Sequence, residues 1–376
     1  MTEASTSSQP AGVAELKVDG VYYGGWKTAR ITRSIEQLAA TFELEITDRW
    51  PGQLAPLPIK PGQKCEMFLD GERVVTGYIH TTSPDYDANR HAIRVAGIDK
   101  TGDLVDCSAI HKSGQWNNVK LDTLASDLIK PFGIKLVVAA DVGKPFASWN
   151  IQEGETVFEC LERAARMRAL LLTSNPAGDL VITRASGDLI EHGLVEGQNI
   201  KAARGDFSWK DRFSRYTVKG QGRLGADGDT EHSAPSGLVV DAVISRHRPL
   251  VVLAESHSEN ATLRDRAEWE RNVRRGRGAR GSVTVQGWRH AGGGLWQPNM
   301  LVPVTSPWLW LESTPMLVVA CTWTLDDSGG TLTELAISRP DAFQLLEGVA
   351  QSRLFGTLRS KEERKKREQF EDWSTL

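Results

Sequence analysis

The sequence has 376 residues, of which 40% are hydrophobic and 25% are charged. A chain of this length holds two or three domains of about 100 to 200 residues, and its composition excludes a disordered, collagen-like or coiled-coil protein. Its 45 basic and 48 acidic residues leave a net charge of −3, so no global positive field attracts the chain to nucleic acid or anionic lipid.

The first twelve residues, 1–12, are rich in Ser, Thr, Gln and Pro, with neither a basic start nor an apolar core. We therefore expect a disordered tail, not a signal peptide, and synthesis and folding in the cytoplasm. The longest apolar stretch, Leu301 to Cys321, is interrupted by three prolines and by Glu312. It is too broken for a span of about 18 apolar residues, so we expect no stable membrane insertion.

Residues 13–105 carry a β pattern. Asp19-Gly20 and Asp70-Gly71 are dipeptides typical of tight hairpin turns. Thr41 to Thr47 alternates apolar and acidic side chains, as expected of a strand with one buried face. A short helix is predicted only for Ser34 to Ala40. This inventory predicts a small β-barrel or sandwich as the N-terminal domain.

Residues 106–204 change to a helical period. Apolar side chains at the spacing of one helical face run from Leu121 to Ile129. Thr156 and Glu159 form the sequence signature of a capping box, which predicts the start of a second helix. A hairpin is predicted to follow from Leu170 to Thr183. We therefore expect a compact α+β domain in this part of the chain.

Residues 205–345 return to a β pattern, with a Gly-, Asp- and Ser-rich loop from Gly220 to Gly237 and a charged helix from Ala261 to Arg275. Pro61-Gly62 precedes a strand of the first β block, and Pro298-Asn299 precedes a strand of this one. The similarity of these two dipeptides indicates that the two β blocks are alike, but it is too short to establish a repeat. A second β domain with an inserted helix is predicted here.

Residues 346–376 are predicted as a C-terminal helical segment. Lys361 to Trp373 contains five basic and five acidic residues, and Phe370 and Trp373 lie on one side of the helix. Two interpretations stay open, a solvated tail with slight apolar contact and a docking peptide for a neighbouring subunit. In the second interpretation Phe370 and Trp373 are interface residues.

Seven arginines lie between Arg264 and Arg280. Acidic residues interrupt this run, and mixed charges on a helix favour a solvated face or ion pairs between subunits. We predict interface roles for four of the arginines: Arg264, Arg271, Arg274 and Arg275. The alternative is a nucleic-acid-binding segment, although aromatic residues for base stacking are scarce in the run.

Twelve tryptophans stand beside only five tyrosines, and most of them are expected in the core. Trp308 and Trp310 differ because prolines flank them, and on a strand they would share one face. This position suggests a rim, where aromatic side chains commonly anchor a protein partner.

No catalytic constellation stands out. The eight histidines lack metal-ligand spacing, the four cysteines form no Cys-x-x-Cys pair, and neither a nucleophile elbow nor a phosphate-binding loop occurs. The glycine spacing of a dinucleotide-binding fingerprint occurs twice, at Gly220 to Gly225 and at Gly276 to Gly281. Neither match leads from a strand into a helix, the context that such a site requires. Both are predicted as flexible loops. We expect no catalytic residue, metal, cofactor or enzyme activity, while a carboxylate pair assembled only by the fold stays open.

Several stretches occur in an order typical of one family of phage tail proteins. They are Gly25-Trp26, Ile31 to Ala39, Phe42 to Ile46, Pro61-Gly62, Gly77 to Ile79, Val95 to Asp99, Asp103 to Asp106, Gly154 to Arg163, Leu170 to Thr173 and Gly178 to Arg184. In this succession the sequence resembles the baseplate hub proteins of Mu-like contractile phages, the late-control type of tail protein.

The resemblance implies a mainly β fold in which two tube-like β-barrel domains, 13–105 and 205–345, flank the α+β domain. It implies a homotrimer whose six β domains surround a channel and connect a trimeric central spike to the hexameric tail tube during host-cell entry. The implied partners are further copies of the chain, the spike, the tube and other baseplate proteins, with DNA only as passing cargo. The protein would be assembled in the host cytoplasm and reside in the virion.

Gly154-Glu155-Thr156 also resembles the start of a LysM repeat. This keeps a second class open, a cell-wall-binding or peptidoglycan-hydrolysing tail module. Against it, the predicted helix leads into a hairpin and no pair of carboxylates stands out.

Overall fold

The computed structural model describes residues 12–47, 59–87, 91–168, 170–185, 189–219, 236–253, 260–326 and 329–343. The predicted N-terminal tail up to residue 11, nearly all of the loop from Gly220 to Gly237 and the C-terminal helical segment lie outside these residues. The chain divides into two compact units: unit 1 is residues 1–204 with 282–337, and unit 2 is residues 205–281 with 338–376. The predicted domain boundaries at residues 105, 204 and 345 stay predictions.

The predicted mainly β fold class is confirmed, with 50% of residues in strands and 17% in helices. Unit 1 begins with seven strands: β1 (Ala14–Val18), β2 (Val21–Tyr23), β3 (Thr28–Ser34), β4 (Thr41–Thr47), β5 (Lys64–Leu69), β6 (Glu72–Tyr86) and β7 (His91–Asp99). They pair in the order β3-β4-β7-β6-β5-β1-β2. Phe42, Leu44 and Ile46 of β4 are buried, which confirms the alternation predicted for that strand.

The short helix predicted for Ser34 to Ala40 is wrong, because the chain bends there without a helical turn. Ser34 Oγ accepts a 3.0 Å hydrogen bond from the backbone nitrogen of Glu36, and the backbone nitrogen of Ile35 donates to the carbonyl oxygen of Val319. Bonds from a serine side chain to the neighbouring backbone compete with helix formation. The segment still buries its apolar side chains Ile35, Leu38 and Ala40.

The middle of the chain contains the predicted mixture of helices and strands. Its elements are α1 (Gly102–Asp106), β8 (Gln115–Val119), α2 (Leu121–Ile129), β9 (Leu136–Val138), β10 (Phe146–Asn150), α3 (Val157–Met167), β11 (Leu171–Ser174), β12 (Leu180–Thr183) and β13 (Leu194–Val195). The capping box is confirmed, because the Thr156 side chain accepts from the Glu159 backbone nitrogen and the Glu159 carboxylate accepts from the Thr156 nitrogen. The apolar faces of α2 and α3 share one buried core.

A second set of strands repeats the first. Its members are β14 (Ile200–Phe207), β18 (Ala279–Gln286), β19 (Leu301–Ser306), β20 (Leu311–Asp326) and β21 (Gly330–Ser338). They pair in the order β14-β18-β21-β20-β19, which corresponds to β3-β4-β7-β6-β5 of the first set. β5 and β19 both have six residues, β7 and β21 both have nine, and β6 and β20 are the longest strands of their sets.

The two dipeptides noticed in the sequence occupy equivalent turns of this repeat. Gly62 has φ 85° and its backbone nitrogen donates a 2.8 Å bond to Ile79 of β6. Asn299 has φ 71° and its backbone nitrogen donates a 2.8 Å bond to Val318 of β20. Both residues adopt a left-handed backbone, for which glycine and asparagine are favoured. The echo in the sequence therefore corresponds to a structural repeat.

β20 also pairs with β3, so the two sets of strands form one continuous hydrogen-bonded sheet in unit 1. In this antiparallel register Thr322 lies opposite Thr32, and their hydroxyl oxygens share a 3.2 Å hydrogen bond. The sequence gives no indication of this pairing, because it joins residues 290 positions apart.

Unit 2 is built on a three-stranded sheet and one long helix. Its elements are β15 (Arg215–Lys219), β16 (Ser236–Val240), β17 (Pro249–Leu253) and α4 (Asn260–Arg277), followed late in the chain by a 3-10 turn at Pro340–Phe343. β15 lies in the centre, antiparallel to β16 and parallel to β17. Leu263 and Ala267 of α4 pack against Tyr216 and Val218 of β15, so the helix covers one face of the sheet.

Candidate interaction site

The described residues contain no group of three or more His, Cys, Asp or Glu side chains that could hold a metal ion. Cys65, Cys160 and Cys321 are buried, and Cys107 is exposed. Burial raises the pKa of Cys65 to about 12 and that of Cys160 to about 11, so both stay thiols, which are poor nucleophiles. No helix in the described ranges is long and apolar enough to cross a membrane.

The glycine motif at residues 276–281 allows close packing of backbone segments. It follows α4 and leads into β18, so the prediction that it lacks a strand-to-helix turn is confirmed, whereas its prediction as a flexible loop is wrong. A Cβ built on Gly276 would lie 2.2 Å from the backbone nitrogen of Ala342, and one on Gly278 would lie 2.5 Å from the Ser208 carbonyl oxygen. Glycine is required here because two backbones approach closely. The other motif, at residues 220–225, lies outside the described residues.

Three of the six arginines of α4 are paired with acidic residues of their own helix. The buried carboxylate of Glu270 accepts 3.1 Å bonds from both Arg266 and Arg274. Arg271 binds Glu268 at 2.9 Å. These i,i+3 and i,i+4 pairs stabilise the helix and reduce the positive charge that a phosphate-binding track would need.

The four predicted arginines do not form one cluster of free charges. Arg271 and Arg274 are half-buried in the ion pairs just described. Arg274 also lies 5.5 Å from the ring of Phe213. Arg275 is half-buried and Arg264 is exposed. Of the predicted interface residues on this helix, Arg264 is therefore the one that points most clearly to solvent.

Trp308 and Trp310 lie in a turn, so the expectation that they share a strand face is wrong. Pro307–Leu309 forms a 3-10 turn, and Trp310 follows with a left-handed φ of 54°. The Ser306 hydroxyl donates to the Glu196 carboxylate, which also accepts a 3.3 Å bond from the Trp308 backbone nitrogen. Trp308 is 82% exposed and Trp310 is 56% exposed. The Glu196 carboxylate thus holds the turn in place, and the turn presents two indole rings to solvent.

Sequence reasoning missed a buried polar junction centred on Arg33. Arg33 of β3 is 8% exposed, and its guanidinium donates to the Ser174 carbonyl oxygen at 2.6 Å and to Gln297 Oε1 at 2.9 Å. The three residues come from three separate stretches of unit 1. A cleft of about 360 Å³ opens beside them. A signal was available, because the β alternation puts Arg33 in phase with the buried residues Ala29 and Ile31.

Asp99 stands near this junction and is almost completely buried. Its carboxylate accepts 2.9 Å bonds from the backbone nitrogens of Ala40 and Thr101. Burial raises the pKa of Asp99, although hydrogen bonds from Ser174 and Thr101 counteract the rise. Burial likewise lowers the pKa of Arg33, while the charge of Asp99 opposes that change. Arg33 and Asp99 are thus two buried charged groups of unit 1, each bound by its own hydrogen-bond partners.

Sequence reasoning also missed the face of the unit 2 sheet that α4 does not cover. We call this the outer sheet face. It carries exposed aliphatic side chains on both edge strands: Leu238, Val240, Val251 and Leu253. Both faces of β16 and β17 are apolar in the sequence, a pattern that usually indicates a strand buried on both sides.

Comparisons with known proteins cover most of the chain. Residues 13–99 match the family model described as the Mu phage baseplate assembly protein GpP-like N-terminal domain. Residues 101–184 match the second domain of baseplate hub protein gp44-like, and residues 259–346 match the fourth domain of the Mu phage baseplate assembly protein GpP.

Individual relatives agree with these models. The chain is 34% identical over 336 residues to baseplate hub protein gp44 of Escherichia phage Mu, which covers 87% of this chain and 88% of the relative. The crystal structure of the prophage MuSo2 43 kDa tail protein from Shewanella oneidensis superposes with a TM-score of 0.80 at 41% identity, over 89% of this chain and 99% of that one. A tail protein from Neisseria meningitidis shares the fold, with a TM-score of 0.75 at 24% identity over 88% and 98% of the two chains.

Proposed function

This chain belongs to the baseplate hub proteins of Mu-like phages, and we propose that it forms a homotrimeric ring connecting a threefold central spike to the sixfold tail tube. Its relatives are structural tail proteins, and the chain is accordingly a component of the phage baseplate. In the proposed ring, three chains present six similar β blocks, which would match the sixfold symmetry of the tube.

The observation that carries this proposal is the repeat within unit 1. Two sets of five strands share one pairing order, corresponding strands have matching lengths, and equivalent turns are made by Gly62 and Asn299. A ring of three such chains has exact threefold and approximate sixfold symmetry. One end of it suits a trimeric partner and the other a hexameric one.

The charges of the described residues fit a mechanical role with DNA only as passing cargo. Three of the six arginines of α4 are paired with Glu268 and Glu270, and the chain carries a net charge of −3. A channel lined by such a protein would hold DNA weakly, because tight non-specific binding requires many unpaired cations. We infer that the chain acts during host-cell entry by holding the baseplate together and not by chemistry.

Contacts between subunits or with other tail proteins are proposed at eight residues: Arg264, Arg271, Arg274, Arg275, Trp308, Trp310, Phe370 and Trp373. The first four belong to α4, and the two exposed tryptophans belong to the turn that follows β19. Phe370 and Trp373 lie outside the described residues, and for them the proposal is a docking peptide that binds a neighbouring subunit. Assembly would take place in the host cytoplasm.

Light scattering on the purified chain tests the proposed ring. We expect a particle of three times the 41.4 kDa chain mass, and co-purification with the spike and tube proteins of the same phage when they are co-expressed. A persistent monomer that degrades purified peptidoglycan would overturn the proposal in favour of a cell-wall module. A trimer that binds neither the spike nor the tube protein would overturn the connecting role alone.

A further inference from the structure

The outer sheet face combines aliphatic side chains with basic ones. In the register of the sheet, Arg215 lies between Val240 and Pro249, and Thr217 lies between Leu238 and Val251. Lys219 in turn lies beside Leu253. Residues two apart on a strand point to the same side, so these side chains form one array with aliphatic edges and a basic residue at each end of the central strand.

This array is open to solvent in the single chain. Leu253 is 69% exposed and Val251 is 57% exposed, and none of the described residues covers the face. The opposite face is filled by α4, against which Tyr216 and Val218 are buried. Several exposed aliphatic side chains on one uncovered sheet face are typical of a protein–protein contact.

The turn around Trp308 and Trp310 has the complementary chemistry. It presents two exposed indole rings. Glu312 follows Trp310 by two residues in the sequence, and the Glu196 carboxylate accepts a hydrogen bond from the Trp308 backbone nitrogen. Tryptophan in a rigid turn loses little conformational entropy on binding and is enriched among the residues that dominate interface energies. Its ring also attracts arginine and lysine through cation–π contact.

We propose that the turn of residues 306–312 in one copy docks onto the outer sheet face of the next copy. Trp308 and Trp310 would pack on the aliphatic side chains of β16 and β17, with Arg215 and Lys219 facing the indole rings and the acidic residues. This inference rests on the self-assembly proposed above and names the two surfaces that make the contact.

The charges favour this contact over one between two identical faces. Packing two outer sheet faces together would place Arg215 and Lys219 of one copy opposite the same cations of the other, and like charges across an interface are unfavourable. A contact between two different surfaces is heterologous. Such contacts repeat from copy to copy and close into a ring when the rotation permits.

Cysteine cross-linking of the full chain tests the contact. Cys107, the exposed cysteine, is first changed to serine. Ser313→Cys, at an exposed position beside the turn that leaves both tryptophans in place, and Val251→Cys are then introduced singly and together. With a short bismaleimide we expect the double variant to give covalent dimers and trimers. Each single variant should stay monomeric on a denaturing gel, and a mixture of the two, co-expressed, should give a dimer containing one chain of each kind.

Each other outcome overturns the inference. Cross-linking of the Val251→Cys chain to itself would indicate a face-to-face contact, and a cross-link within one chain would place the turn on its own sheet. The matched control replaces Val251→Cys with Glu268→Cys, which is exposed on α4 of the same unit, and should give no product with Ser313→Cys. Equal cross-linking there would also contradict the contact.

Light scattering of the same samples separates this inference from the proposed ring. A trimer without the predicted cross-link would leave the ring standing and contradict only the contact. A monomer would contradict both. Independently, Trp308→Ala should weaken association by roughly 30-fold, the effect of one strong interface residue, while an unchanged trimer at nanomolar concentration would overturn the assignment of Trp308.

Discussion

The guanidinium of Arg33 donates a 2.6 Å hydrogen bond to the carbonyl oxygen of Ser174, 141 residues further along the chain. Both residues are buried, and the same guanidinium binds Gln297 from a third stretch of the sequence. One side chain thereby connects the first β set, the middle helices and strands, and the second β set within unit 1. These bonds add to the β3–β20 pairing, which already joins the two repeated sets in one sheet.

Replacing Arg33 should therefore destabilise unit 1. Arg33→Met keeps much of the apolar volume but leaves the Ser174 oxygen and Gln297 without their donor, and it removes the positive charge near buried Asp99. We expect a loss of about 2 to 4 kcal/mol in the free energy of unfolding, measured by denaturant titration. Arg30→Met on the same strand is the control, because Arg30 is exposed and should change stability by less than about 0.5 kcal/mol. Equal effects would contradict the junction.

Unit 2 has its own buried ion pair, between Arg212 and Asp241. The two atoms lie 2.8 Å apart, and the side chains are 5% and 7% exposed. Asp241→Asn should cost about 3 to 5 kcal/mol, because it leaves the Arg212 charge buried without its partner. Asp211→Asn, at an exposed neighbouring position, should be nearly neutral. Thermal unfolding curves of the two variants decide this, and similar midpoints would show that the ion pair contributes little.

Gly237 sets the distance between β16 and α4. A Cβ at this position would lie 2.2 Å from the backbone nitrogen of Arg264 and from the carbonyl carbon of Leu263, so the helix has to shift to accept any side chain. Gly237→Ala should destabilise unit 2 by about 1 to 3 kcal/mol. The control is Gly24→Ala, where the nearest atom to the new Cβ is 3.9 Å away. Unfolding midpoints that are the same for both variants would rule out a close contact at Gly237.

Stability should depend on pH through Glu155. Although burial raises the pKa of Glu155, hydrogen bonds from Arg163 and from the Gln152 backbone outweigh it and hold the pKa below its ordinary value. A carboxylate with a lowered pKa in the folded state contributes stability above its unfolded-state pKa, and the contribution is lost as the pH falls through the folded value. The Glu155→Gln variant should therefore be less stable than the parent chain at pH 7.

The difference between the parent chain and Glu155→Gln should shrink as the pH is lowered through about 4 and below, the range in which glutamate becomes protonated. Glu153→Gln provides the control, since Glu153 lies exposed in the same loop. Urea titrations at several pH values measure the difference. A gap between parent and Glu155→Gln that stays constant at every pH would show that the charge of Glu155 is irrelevant.

Local features of the fold could be predicted from the sequence because their causes are local. The alternation in Thr41 to Thr47, the capping box at Thr156 and the helix that became α4 each depend on residues a few positions apart. The bend at Ser34 to Ala40 could not be predicted, because its backbone binds Val319, which is far away in the sequence.

The candidate sites depend on tertiary structure to a greater extent. The sequence predicted a rim position for Trp308 and Trp310 but not a turn held by Glu196. It also could not show that Glu270 pairs with the arginines beside it. The outer sheet face could not be predicted from the sequence. The strand that contains Val251 and Leu253 has the apolar pattern of a buried strand, and only the placement of α4 shows which face of the sheet stays uncovered.

The central claim is that three chains with two similar β sets each form one ring. Cryo-electron microscopy of the purified full-length assembly tests it most directly. We predict a particle with threefold symmetry in which six β sets surround a central opening, the two sets of each chain alternating around the ring. A particle with another rotational symmetry, or one in which only one set from each chain faces the opening, would contradict the claim.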